Sequence, residues 1–315
     1  MKPSYRIVSW LLIAALLAGA IGGCAAQPTP TPAPTATASA FPITITDDGN
    51  TEVTVRAEPQ RIISMVPSIT EILFALGLGD RVVGVTTFCD YPEEAKSKEK
   101  IGSFTEIDLE KVVGLAPDLV LGGSVHSQTV APALRERGLT VALLEATDVE
   151  STLTQIQTIG KLTGRTTQAQ ALVADIRARL DRVAEKVAKA ERKPRVFWEL
   201  DAMLYTGGKD SFVDGLITLA GGDNVGRRLE GEWPQFNLEA LIEADPEVIV
   251  LADHAFGETA EQVKARPGWS AITAVKENRL IEVEDINLVS RPGPRVGEAV
   301  EYIARALHPD LFAGQ

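Results

Sequence analysis

Hydrophobic and polar positions fall into three regimes along the chain. A predominantly apolar run from Ile7 to Ala20 comes first, then a stretch without apolar pattern, and from Phe41 onward short apolar runs alternate with amphipathic segments. Ile62–Met65 predicts a buried strand. Pro67-Ser68 followed by Ile69–Leu76 predicts a helix, with Ser68 and Glu71 at capping-box spacing. Gly77-Leu78-Gly79-Asp80 ends that helix and Val82–Val85 predicts the next strand. Helix is expected over Leu109–Gly114 and Ala131–Arg137, and strand over Asp118–Leu121 and Val141–Leu144. Continuous apolar strands separated by helices predict a parallel sheet flanked by helices.

A longer helical period interrupts this rhythm. Between Thr167 and Glu191, Leu172, Ile176, Leu180, Val183, Val187 and Ala190 recur at helical spacing; Thr167 with Gln170 suggests its cap, and Pro194 its end. Such a helix spans ~37 Å at 1.5 Å per residue. It is either a lone surface helix or a strut between two lobes. The strut is favoured because the alternation resumes behind it: strands at Arg195–Leu200, Glu247–Leu251 and Leu280–Val283, and helices at Phe212–Leu219, Glu258–Ala265 and Val296–Leu307. The expected organisation is an N-terminal α/β lobe over 43–165, the helix over 166–193 and a C-terminal α/β lobe over 194–315. The halves also echo one another. Leu109-Glu110-Lys111-Val112-Val113 runs through Pro117 into Asp118-Leu119-Val120-Leu121, and Leu238-Glu239-Ala240-Leu241-Ile242 runs through Pro246 into Glu247-Val248-Ile249-Val250 at a constant offset. Any αβ unit gives a similar pattern; as a true repeat, it places Glu110 and Glu239 at equivalent positions.

The leading run follows Lys2 and Arg6 and is followed by small residues, the pattern of an export signal. Ile21-Gly22-Gly23-Cys24 resembles a bacterial lipobox, in which cleavage before Cys24 leaves a lipidated cysteine. The signal is therefore expected over 1–23 and a Pro/Thr-rich tether over 24–42. Pro28, Pro30, Pro32 and Pro34 favour extended geometry, with a reach of roughly 50 Å at ~3.1 Å per residue. Acids outnumber bases 43 to 31, for a net charge of −12, which argues against a nucleic-acid partner. The only other cysteine, Cys89, has no internal partner and is expected to be buried.

No catalytic constellation emerges. Gly122-Gly123-Ser124-Val125-His126 lacks the closing glycine of a nucleophile elbow, and Ser124 and His126 are too close in sequence to be a catalytic pair by themselves. Gly77-Leu78-Gly79 fails as a dinucleotide fingerprint at its third glycine and follows a helix. The three histidines, His126, His254 and His308, are scattered; His254, at a strand end after Asp253, is a candidate ligand or metal contact. Aromatic side chains instead gather in loops after strands: Phe88 and Tyr91, Phe104, Trp198 and Tyr205, and Trp233. Such rings suit a large apolar or macrocyclic ligand.

Arg61–Leu78 (RIISMVPSITEILFALGL), Val82–Pro92 (VVGVTTFCDYP), Asp118–Leu121 and Arg291-Pro292-Gly293-Pro294-Arg295, in that order, resemble the substrate-binding proteins of ABC importers for vitamin B12 and iron-siderophores. The resemblance covers residues 59–312 and is strongest to the cobalamin branch. It implies the class III periplasmic-binding-protein fold, two α/β lobes with mostly parallel sheets joined by one long backbone helix. It implies a binding protein rather than an enzyme, without a resident cofactor, carrying cobalamin or another metal chelate as cargo. The expected ligand-facing residues are Phe88, Phe104, Ser124, His126, Trp198, Tyr205, Trp233, Asn287 and Arg291. Gly123 and Leu200 stand where some relatives carry large aromatics. Glu110 and Glu239 match the glutamates with which the family docks on its permease dimer, itself served by ATPase subunits. The implied molecule is a monomer, anchored through Cys24 outside the cytoplasmic membrane. A ferric-siderophore or haem receptor is the alternative, and a surface-anchored hydrolase a more distant one.

Overall fold

The computed structural model describes residues 41–313; the export signal, Cys24 and nearly all of the tether lie outside the described residues. Strands β1 (Ile43–Thr46) and β2 (Glu52–Val55) form an antiparallel hairpin. β3 (Ile62–Ser64), β4 (Val82–Val85), β5 (Glu99–Lys100), β6 (Leu119–Gly122) and β7 (Val141–Leu143) form a parallel sheet in the order β5-β4-β3-β6-β7. β8 (Arg195–Glu199), β9 (Asp223–Asn224), β10 (Val248–Leu251) and β11 (Leu280–Glu282) form a second parallel sheet in the order β11-β10-β8-β9. Helices connect the strands, as right-handed crossovers between parallel neighbours require.

The echo in the sequence is an echo in three dimensions. The order β4-β3-β6-β7 in one sheet matches β9-β8-β10-β11 in the other, with β5 an extra edge strand. Helix Leu109–Gly114 is capped by Asp108, whose side chain accepts from the Lys111 amide, and helix Leu238–Ala244 by Asn237, which accepts from the Ala240 amide. Each chain then turns through a residue at positive φ, Ala116 (45°) or Asp245 (43°). Arg61 Nε donates to the Ala116 carbonyl at 3.2 Å and Arg195 Nε to the Asp245 carbonyl at 2.8 Å, so each turn is stapled to the strand beside it.

Strand residues alternate between two interiors, as side chains on a pleated strand must. Ile62, Leu119 and Leu121 of one sheet, with Val196, Trp198, Val248 and Val250 of the other, belong to one core. Ile63 and Val120 face a separate outer core, and Phe197, Ile249 and Leu251 another. The inner core runs from sheet to sheet through helices 149–162, 166–187, 212–219 and 296–307.

The strut is Thr166–Val187, 22 residues, roughly 33 Å at the usual rise. It packs on Val149–Leu162 and Val296–Leu307. A Cβ at Gly160 would collide with that of Ala169, so glycine is what lets the first two helices approach. Both expected caps are corrected. Arg165 precedes the strut and no side chain caps it. The earlier helix is Pro67–Ala75, preceded by Val66; Ser68 lies inside it, and Glu71 turns away from its backbone. The capping box that does form, Asp148 with Ser151, begins helix 149–162.

Candidate functional site

Exposed apolar side chains cluster at the carboxyl ends of both parallel sheets. Phe88 follows β4 and is 57% exposed, Phe104 follows β5 half-buried, and Val125 lies in the turn after β6. On the second sheet Met203 and Tyr205 follow β8, Trp233 (47% exposed) comes from the loop after β9, and Phe256 (84% exposed) follows β10. The Tyr205 and Trp233 loops are tied together: Tyr205 bridges Gln235, whose Nε2 donates to the Met203 carbonyl at 2.8 Å. Water-exposed aromatic rings are costly unless they have something to cover.

A charged seam shows that the two carboxyl ends lie on the same side. Asp285, Asn287 and Arg291 follow β11, while Phe88, Asp90 and Tyr91 follow β4. Arg291 donates to Glu71 Oε1 at 3.0 Å and to the Phe88 carbonyl at 3.0 Å, and lies 2.8 Å from Asp90. Arg295 donates to both Glu71 oxygens at 2.9 and 3.0 Å and to Asp285 at 2.8 Å, and stacks 3.9 Å from the Tyr91 ring centroid. Asn287 Nδ2 donates to Asp90 at 3.3 Å. Glu71 is buried, so its charge is sustained by two guanidinium groups at short range. Asn287 and Arg291 thus occupy the junction between the lobes, and Arg291 also holds the Phe88 backbone.

Two expected ligand contacts are corrected by burial. Trp198 is 1% exposed and packs in the inner core, because it occupies an inward position of β8. His126 is also 1% exposed. Its Nδ1 accepts the Gly123 amide at 3.1 Å and its Nε2–H donates to the Phe104 carbonyl at 3.0 Å, with the rings edge to face at 5.7 Å. Burial pushes its pKa down, which keeps it neutral in that role. His126 therefore holds the ring-bearing loops from behind. Ser124 is exposed, its amide donating to Glu145 at 2.8 Å. His254 Nδ1 donates to the Glu258 carbonyl at 2.8 Å, and among the described residues no group of three metal-ligating side chains converges.

Sequence reasoning missed Glu71, Asp90, Met203, Val125 and Phe256. For Phe256 a signal was present, an aromatic two positions past His254 in a post-strand loop. Glu110 and Glu239 are both exposed and are both the second residue of their helices, six positions past Phe104 and Trp233 respectively. Cys89 is buried, its thiol 3.1 Å from the Thr70 hydroxyl and 3.2 Å from that of Thr86.

Two parallel sheets with their carboxyl ends turned to one side, rimmed by exposed rings and bridged by a helix, define a two-lobed solute-binding protein of the class III type. The chain belongs to the periplasmic binding protein family, whose signature matches residues 62–286. It is 39% identical to an uncharacterized ABC transporter substrate-binding lipoprotein of Bacillus subtilis, with 99% of each chain covered. It is 31% identical to a cobalamin-binding protein of Halobacterium salinarum, over 94% of this chain and 82% of the other. The solved periplasmic heme-binding protein of Roseiflexus sp. RS-1, 25% identical, superposes with a TM-score of 0.71 over 80% of this chain and 99% of that one. This chain is an ABC-transporter substrate-binding protein, a component that works with a permease and an ATPase.

Proposed function

We propose that the protein captures cobalamin or a related corrinoid between its lobes and delivers it unaltered to the permease. The observation that carries this reading is the pair of aromatic walls, exposed Phe88 with half-buried Phe104 on one sheet and exposed Tyr205, Trp233 and Phe256 on the other. A broad, flat, largely apolar macrocycle is the ligand that such walls suit. Similarity to a cobalamin-binding relative supports it. Haem carries two carboxylates and calls for cations at the rim. Here Arg291 and Arg295 are engaged by Glu71, Asp90 and Asp285, which favours a ligand whose periphery is uncharged. Ser124, Asn287 and Arg291 are the polar contacts at the edge.

Anchoring outside the cytoplasmic membrane through a lipidated Cys24 is supported by the export-signal pattern and by the lipoprotein relative. More than one acyl chain is needed for stable attachment, which the diacylated cysteine of a lipobox meets. Glu110 and Glu239, one per lobe at equivalent positions, suit docking on the two subunits of a permease dimer by a monomeric receptor. Titration of purified protein with cyanocobalamin, haem and a ferric siderophore, followed by tryptophan quenching, tests the ligand. Saturable quenching by cyanocobalamin is expected; saturation by an iron chelate alone overturns the choice.

A further inference from the structure

One carboxylate stands among the loops of the N-terminal wall with no cation to answer it. Glu145 lies two residues past β7 and is exposed. Its Oε2 accepts the Ser124 amide at 2.8 Å, and its own amide donates to Asp48 Oδ2 at 2.7 Å. Side chain and backbone are thus each held, one by the turn after β6 and the other by the turn between β1 and β2. A Cβ on Gly123 would come 3.3 Å from the same Oε2, a tighter approach than side-chain carbons ordinarily make, so the bare backbone at Gly123 leaves room for the carboxylate. The other oxygen, Oε1, has no hydrogen-bond partner among the described residues.

This carboxylate belongs to the wall. Ser124 and Val125 are exposed at the carboxyl end of β6. The Gly123 amide donates to His126, whose other ring nitrogen holds the Phe104 carbonyl. One line of hydrogen bonds therefore runs from the Phe104 loop through His126 and Gly123-Ser124 to Glu145. Its charge is not neutralised on that lobe. The loops after β3 to β7 contain no arginine and two lysines: Lys96, paired with Glu93 at 2.7 Å, and Lys98, over the Phe74 ring at 5.8 Å. Lys100 of β5 is taken up by the carbonyls of Cys89 and Ala95. Asp48 adds a second acid beside Glu145.

We propose that Glu145 is a specificity-determining residue, through which the N-terminal wall selects the rim of its ligand: Oε1 accepts an N–H from a carboxamide at the edge of the macrocycle and turns away chelates that carry a carboxylate there. An ionised carboxylate only accepts hydrogen bonds. A ligand seated over the wall displaces water from Oε1, and only a donor on the ligand can replace that water without leaving the oxygen unsatisfied. A ligand carboxylate at the same point offers no donor and brings a like charge, so it is penalised on both counts. The proposal rests on the ring-bearing surface being the ligand site and adds the chemistry required of the ligand's periphery.

The test compares cyanocobalamin with its monocarboxylic acids, in each of which one peripheral amide is hydrolysed to a carboxylate, by titration at neutral pH. The wild type is expected to bind cyanocobalamin at least ~5-fold more tightly than one of these acids, the ratio that a single like-charge contact sets. That preference is expected to shrink as salt is raised. Glu145→Gln keeps an acceptor for the Ser124 amide and is expected to bring the ratio close to unity. Glu136→Gln, which removes the same charge from helix Val130–Glu136, is expected to leave it in place. Equal wild-type affinity for cyanocobalamin and every acid, a preference that survives Glu145→Gln, or one lost equally in Glu136→Gln overturns the inference while leaving the receptor function standing. Should Glu145→Gln not fold, the wild type decides: a preference that is absent, or that does not shrink with salt, overturns the inference. A wild type that does not bind cyanocobalamin overturns the function and this inference together.

Discussion

Glu71 and Arg291 form a 3.0 Å ion pair between side chains 220 positions apart. With Arg295 on its other side, the Glu71 carboxylate is the anion around which the seam between the two sheets is assembled. Glu71→Gln leaves two largely buried guanidinium groups short of their counter-charge, and breaking such a buried pair costs about 3–5 kcal/mol. Urea unfolding is expected to show a clearly lower midpoint, with weaker cyanocobalamin binding in whatever folds because Arg291 also holds the Phe88 carbonyl. An unchanged midpoint would show that the seam contributes nothing to stability.

Burial divides the aromatic residues into two kinds, and substitution should divide them likewise. Trp198→Ala opens a cavity in the inner core and is expected to cost about 3–5 kcal/mol. Phe88→Ala and Trp233→Ala remove exposed rings, so stability should stay within about 0.5 kcal/mol while ligand affinity drops at least several-fold. Parallel thermal unfolding and ligand titration of the three variants distinguish these outcomes.

His126 makes stability fall with acid. Its folded pKa is depressed, first by burial, so above the ordinary value of 6.5 both folded and unfolded chains carry it neutral and its contribution is complete. Below that value the unfolded chain takes up the proton first, and stability declines until the folded form is protonated too. The expected readout is an acid-side slope in the unfolding free energy that becomes shallower in His126→Gln; His308, also depressed by burial, keeps part of it.

Charge reversal at Glu110 together with Glu239 is expected to abolish uptake into vesicles carrying the permease and ATPase, with ligand affinity unchanged. Both side chains are exposed and neither is among the expected ligand-facing residues, so only docking should respond. Normal uptake by the double variant would take these residues out of the interface.

Most of the architecture was legible because short apolar runs and helical periods are local signals. The strut was expected to run to Glu191, four residues too long at its C-terminal end, since the apolar spacing continues to Ala190 after the helix has ended at Val187. Glu71 was misread because a capping box is a local spacing, whereas its partners arrive from residues 291 and 295. Trp198 and His126 were misread for a related reason. Placing an aromatic near a strand end does not say which face of the strand it occupies or whether its ring nitrogens are already engaged. Phe88, Tyr205 and Trp233, which no strand pattern claims, are exposed loop residues in the structure.

The two halves repeat one topology, yet the layer of side chains between them is common property. Each half has its own outer core, but the inner face of each sheet is shielded from water by the one shared cluster. Denaturation should therefore be a single event in which far-ultraviolet circular dichroism and tryptophan emission change together. A fragment ending before the strut should remain a sticky, poorly ordered polypeptide rather than a miniature receptor.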